Sequence, residues 1–207
     1  MKHTQDDELT RLQAQIRQCR LCQDSFGFEP RPIVLGNRNA KIMQISQAPS
    51  KTVHETGRPF NDASGRKLRG EWYHSSDRDF YDPDLFYIVS MAHCYPGKAP
   101  GGGDRRPPKV CAERWLSREM DLVDNSLYII IGGIAAAFFF PGRSLTSLVF
   151  EDHQLRGKPA YVLPHPSPLN VKWFMDYPQF EAERMPRIRE EVHRALGLSF
   201  FSKEPKQ

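Results

Sequence analysis

Four cysteines are spaced as ligands of a metal centre. Cys19 and Cys22 form a C-x2-C pair, and Cys94 and Cys111 follow far along the chain as C-x16-C. A C-x2-C pair brings two thiolates within reach of one metal, and the distant pair can complete a four-thiolate site. In a reducing cytosol such cysteines do not form disulfides. The spacing predicts a zinc ion or a [4Fe-4S] cluster and leaves both open, with four buried thiols as the third alternative.

A histidine between two prolines follows an apolar run. In PAYVLPHPSPLN, residues 159–170, the run ends near His165, and Ser167 stands two positions later. A buried strand needs no such ending, whereas a ligand site can use an imidazole and a hydroxyl, because both donate and accept hydrogen bonds. The alternative is a loop histidine that makes an ordinary bond to the backbone.

Runs that read as buried strands must position these groups. They are apolar throughout and alternate with segments of helical pattern, which is typical of a parallel sheet covered on both faces. We therefore expect a three-layer α/β/α fold with a central four-stranded parallel sheet, one domain over residues 1–198 and a flexible tail over 199–207. The predicted strands are 40–46, 85–92, 126–133 and 159–164, and the predicted helices are 5–18, 63–76, 108–123, 133–140 and 177–197.

The loops that leave parallel strands gather at one edge of a sheet, where ligands bind in folds of this kind. The segments QAPS, MAHC, IGG and HPSP each lie at the exit of a predicted strand. His165 and Gln47 are therefore expected to face the same pocket.

The distribution of charge favours an anionic partner, although the net charge of +4 is mild. Basic side chains cluster in GRKLRGEW and in GGGDRRPPK, which contains Arg105 and Arg106. Beside glycine-rich loops such clusters favour a rim that contacts phosphates, with a solvated basic face as the alternative. No apolar run approaches the ~18 residues of a membrane span, and the N-terminus has no apolar signal core. We expect a cytoplasmic monomer without membrane contact.

Two of these motifs resemble those of the uracil-DNA glycosylase superfamily. The segment SQAPSKTVHETGRPFNDASGRKL resembles its first motif, in which a polar residue precedes x-P and a G-x-P-F segment follows. The segment HPSPLN resembles its second motif, a histidine-containing loop after the last strand. The four cysteines, one pair before the first strand and one pair after the second, resemble the iron-sulfur branches of the superfamily.

The resemblance implies a DNA glycosylase of base excision repair. Such an enzyme flips a deaminated base out of DNA and hydrolyses its N-glycosidic bond. The implied cofactor is a [4Fe-4S] cluster held by the four cysteines, with zinc as the second candidate. Its role would be structural, because it would pin the N-terminal helix and the loop PGKAPGGGDRRPP beside the DNA.

The implied site residues divide by task. His165 would donate a hydrogen bond that stabilises the departing base anion, and Gln47 would orient water. Phe60, Ser90 and Ala48 would contact the extruded base, with a core position as the alternative for Phe60. Leu169 would be a wedge that fills the emptied stack, or else a core residue. Further DNA contacts would come from Ser50, Ser167, Arg105 and Arg106.

Two positions depart from the family's pattern. Gln47 stands where an acidic residue or asparagine is frequent, and an amide can orient water but cannot take its proton. Asp62 could supply the missing base, with an N-cap role as its alternative, and His54 is a further candidate. Ser90 stands where asparagine is common, and one hydroxyl reads a uracil edge less strictly than an amide. We therefore expect a specificity that extends from uracil to hypoxanthine or xanthine.

Two rival functions stay open. The departures at Gln47 and Ser90 are compatible with a catalytically weak or inactive protein of the glycosylase fold that binds DNA without cutting it. The other rival is a metal-stabilised α/β domain that binds a nucleotide or another small molecule through His165.

Overall fold

Strongly apolar strands form the centre of the protein. The computed structural model describes residues 2–27 and 29–198. The strands are β1 (Ile42–Ser46), β2 (Phe86–Ser90), β3 (Leu127–Ile131), β4 (His153–Leu155) and β5 (Lys158–Leu163). Every residue of β1, β2 and β3 is buried. Such burial is expected where helices cover both faces of a parallel sheet, and the predicted α/β class is confirmed.

The strand order β2-β1-β3-β5-β4 puts β1 near the centre of the sheet. β1 pairs in parallel with β2 and with β3, and β3 pairs in parallel with β5. The register between β1 and β2 places Ser46 opposite Ser90, so the two strands end at the same level. The carboxyl ends of the four parallel strands therefore meet at one edge.

The four expected parallel strands are present, and a fifth strand joins them in the described part of the chain. β4 adds a short antiparallel strand at the edge of β5. The turn between them contains Arg156 and Gly157, whose φ angles of 52° and 74° are both positive, as a two-residue type I′ hairpin requires. β4 has three residues, which is too short for an alternating pattern to be recognised in the sequence.

Helices lie between the strands, and the predicted helical segments are all present. The additional helices α2, α3, α5, α9 and α10 have only four to six residues each, too few for a helical period to stand out. The helices are α1 (Lys2–Arg17), α2 (Gln23–Phe26), α3 (Lys51–Thr56), α4 (Ala63–Arg66), α5 (Asp77–Phe80), α6 (Lys109–Cys111), α7 (Ser117–Leu122), α8 (Gly133–Phe139), α9 (Leu145–Phe150), α10 (Val171–Asp176) and α11 (Met185–Leu196).

Three π-helical segments extend or join these helices. One π-helical segment, Lys67–Tyr73, continues α4, a second, Ala112–Leu116, joins α6 to α7, and a third, Phe180–Arg184, leads into α11. α11 begins at Met185, next to Pro186. A 3-10 turn, Pro168–Asn170, precedes α10.

The first helix is fixed by the apolar face that its sequence predicts. Leu9, Leu12 and Ile16 are all buried in the core, and α1 packs against α7. The end of α1 therefore has a fixed position, and the C-x2-C pair follows it directly. Within the described residues no helix is long and apolar enough to cross a membrane. The predicted tail, 199–207, lies outside the described residues.

Candidate active site

The carboxyl edge of the sheet opens into a cavity of about 390 Å³, within the usual size range of small-molecule sites. The exit of β1, the end of β2 and the loop after β5 all contribute to its wall, as the topology requires. The predicted site residues that line it are Gln47, Ala48, Ser50, Phe60, Asp62, Ser90, His165 and Ser167. The structure thus brings together the imidazole, the aromatic ring and the amide that the sequence analysis expected around one ligand.

His165 is held as a neutral imidazole with a defined tautomer. The backbone N–H of Ser167 donates to His165 Nδ1 at 3.2 Å, so the ring proton is on Nε2. The side chain is exposed at the cavity, yet the surrounding protein withholds water and lowers its pKa below the ordinary 6.5, against the opposing charges of Asp62 and Asp104. The geometry gives one preset N–H donor that faces solvent or a ligand.

Phe60 has a strained backbone that its neighbours hold in place. Its φ is 53°, a left-handed conformation that costs energy in a residue with a large side chain. Its carbonyl oxygen accepts hydrogen bonds from Arg69 Nη1 at 2.6 Å and from the Tyr81 hydroxyl at 3.4 Å. Its ring meets the Phe80 ring edge to face, at 6.2 Å between centroids. Phe60 therefore contacts the edge of the core and also lines the cavity.

The Phe60 carbonyl also explains a glycine in α4. A Cβ atom built on Gly65 would lie 1.6 Å from Phe60 O, so only glycine lets the helix approach this loop so closely.

Asp62 takes the N-cap role that was its alternative and also faces the cavity. Its Oδ1 accepts a hydrogen bond from the backbone N–H of Gly65 at 3.0 Å, and its Oδ2 accepts one from Ser50 Oγ at 3.3 Å. Ser50 in turn caps α3, because its Oγ accepts from the Val53 N–H. Both side chains thus tie the two loops of the first motif to each other.

Ser46 and Asp104 also line the cavity, although the sequence did not predict them as site residues. Ser46 Oγ lies 2.8 Å from Ser90 Oγ, and Asp104 forms an ion pair with Lys98 at 2.8 Å. Ser46 precedes Gln47 at the end of β1, and the rule that strand ends meet could have found it. Asp104 stands in the glycine-rich loop, and no local signal separated it from a solvated carboxylate.

Other candidates lie outside the cavity lining. Leu169 is 95% exposed, so its alternative as a core residue is wrong. Arg105 and Arg106 are exposed beside the cavity, and Arg106 lines a neighbouring groove that shares Gln47 with it. His54 belongs to α3, is half-buried and meets the Tyr95 ring at 6.0 Å.

Two of the three basic side chains in GRKLRGEW do not contribute to the expected phosphate rim. Arg69 is buried, and its Nε donates to Asp77 Oδ1 at 2.8 Å. Lys67 pairs with Glu181 at 2.7 Å and lies over the Phe174 ring. Both cations have partners within the protein, and the prediction that they contact phosphates is wrong for them.

The four cysteine side chains line one small cavity near the end of α1. Cys19 and Cys22 stand between α1 and α2, Cys94 follows β2, and Cys111 ends α6. Burial, together with the other three thiols, raises the pKa of Cys94 to about 12, so four thiolates would need a cation to compensate their repulsion. An all-sulfur donor set of this kind fits zinc or an iron-sulfur cluster. In the described part of the chain no group of three or more His, Cys, Asp or Glu side chains is arranged to hold a single metal ion.

A buried polar network joins this cysteine site to the core. His93 Nδ1 lies 3.3 Å from Cys111 Sγ, and His93 Nε2 lies 2.8 Å from Glu119 Oε2. The Tyr87 hydroxyl donates to Glu119 Oε1 at 2.8 Å. Burial by itself would lower the pKa of His93, but Glu119 and Cys111 raise it to about 10. The buried pair of His93 and Glu119 therefore supports Cys111 from inside.

The fold and the site define an α/β protein with a ligand cavity at the strand ends and a separate four-thiol site. The chain matches the family described as the uracil DNA glycosylase superfamily over residues 33–189. It belongs to that superfamily, and the membership predicted from the sequence is confirmed.

Two relatives are similar over much of the chain. A protein of Archaeoglobus fulgidus named type-4 uracil-DNA glycosylase is 28% identical over 136 residues, which are 65% of this chain and 63% of that protein. A protein of the same name from Thermotoga maritima is 21% identical over 169 residues, 80% of this chain and 84% of that protein. The chain thus spans less than two thirds of the Archaeoglobus relative and more of the Thermotoga one.

The contact between Gly65 and Phe60 O can be tested by Gly65→Ala. Alanine normally stabilises a helix relative to glycine, but here its Cβ must displace the Phe60 carbonyl. We expect the free energy of unfolding in urea to fall by about 1–3 kcal/mol. Gly70→Ala, in the same helical run and with nothing within 4 Å of its Cβ, is the matched control and should gain up to about 1 kcal/mol. Equal effects of both substitutions would contradict the proposed contact.

The state of His165 can be tested by NMR titration. Because the folded pKa lies below 6.5, the unfolded state binds the proton more readily and stability falls as the pH drops below that value. We expect a His165 titration midpoint below 6.5 and nitrogen shifts of a ring protonated at Nε2. A midpoint at or above 6.5 would contradict the effect of burial on this ring, and a proton on Nδ1 would show that the Ser167 N–H does not fix its tautomer.

Proposed function

We propose that the protein is a monofunctional DNA glycosylase that hydrolyses the N-glycosidic bond of uracil in DNA. The observation that carries the proposal is the neutral His165, whose Nε2–H donor lies in one cavity with Phe60 and the strand-end serines. The superfamily membership and the relatives named type-4 uracil-DNA glycosylase support the same reaction.

The first step is extrusion of the base from the stack. Unstacking costs a few kcal/mol, and stacking on the Phe60 ring returns about 1–3 kcal/mol. The exposed Leu169 stands close in sequence to His165 and would fill the emptied position in the duplex, as apolar wedges do in other proteins that distort DNA. Ser167, Arg105 and Arg106 would contact the backbone around it.

Bond cleavage leaves the electron pair on the base. As the bond from C1′ to the base nitrogen breaks, negative charge develops on a base carbonyl and positive charge on the sugar. The Nε2–H of His165 would donate to that carbonyl oxygen, and a neutral donor suffices because the N–H is preorganised. Water then adds to C1′ and releases a proton to solvent or to a carboxylate.

Gln47 and Asp62 would position the attacking water. The Gln47 amide can accept one hydrogen bond and orient the water, but it cannot remove the proton. Asp62 is the carboxylate on the first motif that lines the cavity, and its two hydrogen bonds keep it fixed. Electrostatic support of the positive sugar is a second contribution that a fixed carboxylate makes without changing its own protonation.

We propose further that the four thiolates hold a [4Fe-4S] cluster, with zinc as the rival occupant. The cluster would supply positive charge that compensates the thiolates and would connect the segments that carry them. Its four ligands would fix the end of α1 to the segment after β2 and to α6, and so position the glycine-rich loop that contains Asp104 and Arg105.

The activity is tested with uracil-containing DNA and alkali. The wild-type protein should leave abasic sites that alkali converts into strand breaks. Loss of one preorganised donor costs about 10²–10³-fold in rate, so His165→Ala should slow single-turnover cleavage by that factor. His74→Asn is the control, because His74 is an exposed histidine at a left-handed position that asparagine also adopts.

The outcomes separate the rival functions. DNA binding without strand breaks would favour the hypothesis of an inactive protein of the glycosylase fold. The departures from the family pattern at Gln47 and Ser90 motivate that hypothesis. Neither binding nor breaks would point to a small-molecule site. Undiminished cleavage by His165→Ala would contradict the assignment of His165 as the donor to the departing base.

The cofactor is tested by anaerobic purification. We expect iron and acid-labile sulfide in equal amounts and a broad visible absorption band. Cys111→Ser should weaken the band and lower the midpoint of urea unfolding, because metal binding to native ligands adds to stability. Purified protein with stoichiometric zinc and no visible band would assign the site to zinc.

A further inference from the structure

Two hydroxyl groups at the cavity form a pair that bridges two strands. Ser46 ends β1 and Ser90 ends β2, and the sheet register places them opposite each other. Their Oγ atoms are 2.8 Å apart, and the residues are only 6% and 9% exposed. Both line the cavity that also contains Phe60 and His165.

The mutual hydrogen bond leaves the serine pair with capacity for a ligand. Each hydroxyl has one O–H donor and two acceptor positions, and the bond between them uses one donor and one acceptor. One O–H and several lone pairs are left over in a buried position. A buried donor or acceptor without a hydrogen-bond partner costs free energy. A planar ligand edge with a donor and an acceptor side by side would satisfy both.

The direction of the bond between the serines is reversible. Either oxygen can be the donor, and rotation of both hydroxyls moves the free O–H from one strand end to the other. A side-chain amide has its N–H and C=O in fixed places once its orientation is set. The serine pair can therefore match the same ligand edge in either order.

We propose that Ser46 and Ser90 together read the base, and that they accept the lactam edge, an N–H beside a C=O, of deaminated pyrimidines and purines alike. The inference deepens the proposed function, on which it rests, and adds Ser46 as a specificity-determining residue. The cavity volume of about 390 Å³ lies within the range of sites for ligands larger than a single ring. Uracil and hypoxanthine should consequently bind with affinities within about tenfold of each other, the value of one hydrogen bond.

The experiment measures binding separately from cleavage. Oligonucleotides carry 2′-fluoro nucleotides of uracil or hypoxanthine, in which the fluorine disfavours positive charge on the sugar and stops cleavage. Dissociation constants are measured for the wild type, Ser46→Ala, Ser90→Ala and the double variant. Ser126→Ala is the control, because its hydroxyl bonds to Lys41 O at the opposite edge of the sheet. Cleavage of the natural oligonucleotides is followed in parallel.

We expect each single serine variant to lose about five- to tenfold in affinity for both bases. The double variant should lose less than the product of the two, since the hydroxyls act as a unit. Ser46→Ala combined with Ser90→Asn replaces the reversible pair by a fixed amide and should bind one base at least about tenfold more tightly than the other.

Three results would overturn the inference. They are an unchanged affinity in Ser46→Ala, a wild-type preference between the two bases above about a hundredfold, and no preference of the wild type for either lesion over undamaged DNA. Tight lesion binding with these serine effects but no cleavage of natural DNA would contradict the proposed glycosylase activity. The proposed recognition of the base by Ser46 and Ser90 would still hold.

Discussion

The parallel register of β1 against β2 is the constraint on which the site depends. Because the two strands start at the same level and have equal length, their last residues stand side by side at the same cavity. Ser46 and Ser90 then lie at hydrogen-bond distance. A slip of one residue would turn one hydroxyl to the other face of the sheet, so the apolar core that fixes the register also fixes the polar site.

The loops around the cavity need support that the strands do not give. Phe60 keeps a left-handed backbone because Arg69 and Tyr81 bind its carbonyl and Gly65 leaves room for it. Arg69 is buried with Asp77 as its counter-ion. A cation that would be taken for a DNA contact is thus part of the frame that positions an aromatic ring, and its desolvation is compensated locally.

The cysteine site connects the same strand to the periphery. Cys94 follows β2 by a few residues, and Cys111 is bonded by His93, whose partner Glu119 receives the hydroxyl of Tyr87 from within β2. A single strand therefore carries Ser90 at the cavity and Tyr87, which begins the polar chain that supports a thiol. The cavity and the four-thiol site are thus joined through contacts of one buried strand.

The sequence by itself determined the fold class, four parallel strands, the cysteine set and the motif segments that face the cavity, because apolar runs and strand-end chemistry are local signals. It left open whether Asp62 caps a helix, whether Leu169 is buried and whether Arg69 is free. Those answers depend on which distant segments meet, and only the tertiary structure decided them: Gly65 and Ser50 converge on Asp62, and Leu169 projects into solvent. The partnership of Ser46 with Ser90 likewise required the register, because two serines in separate strands have no relation that a linear pattern can express.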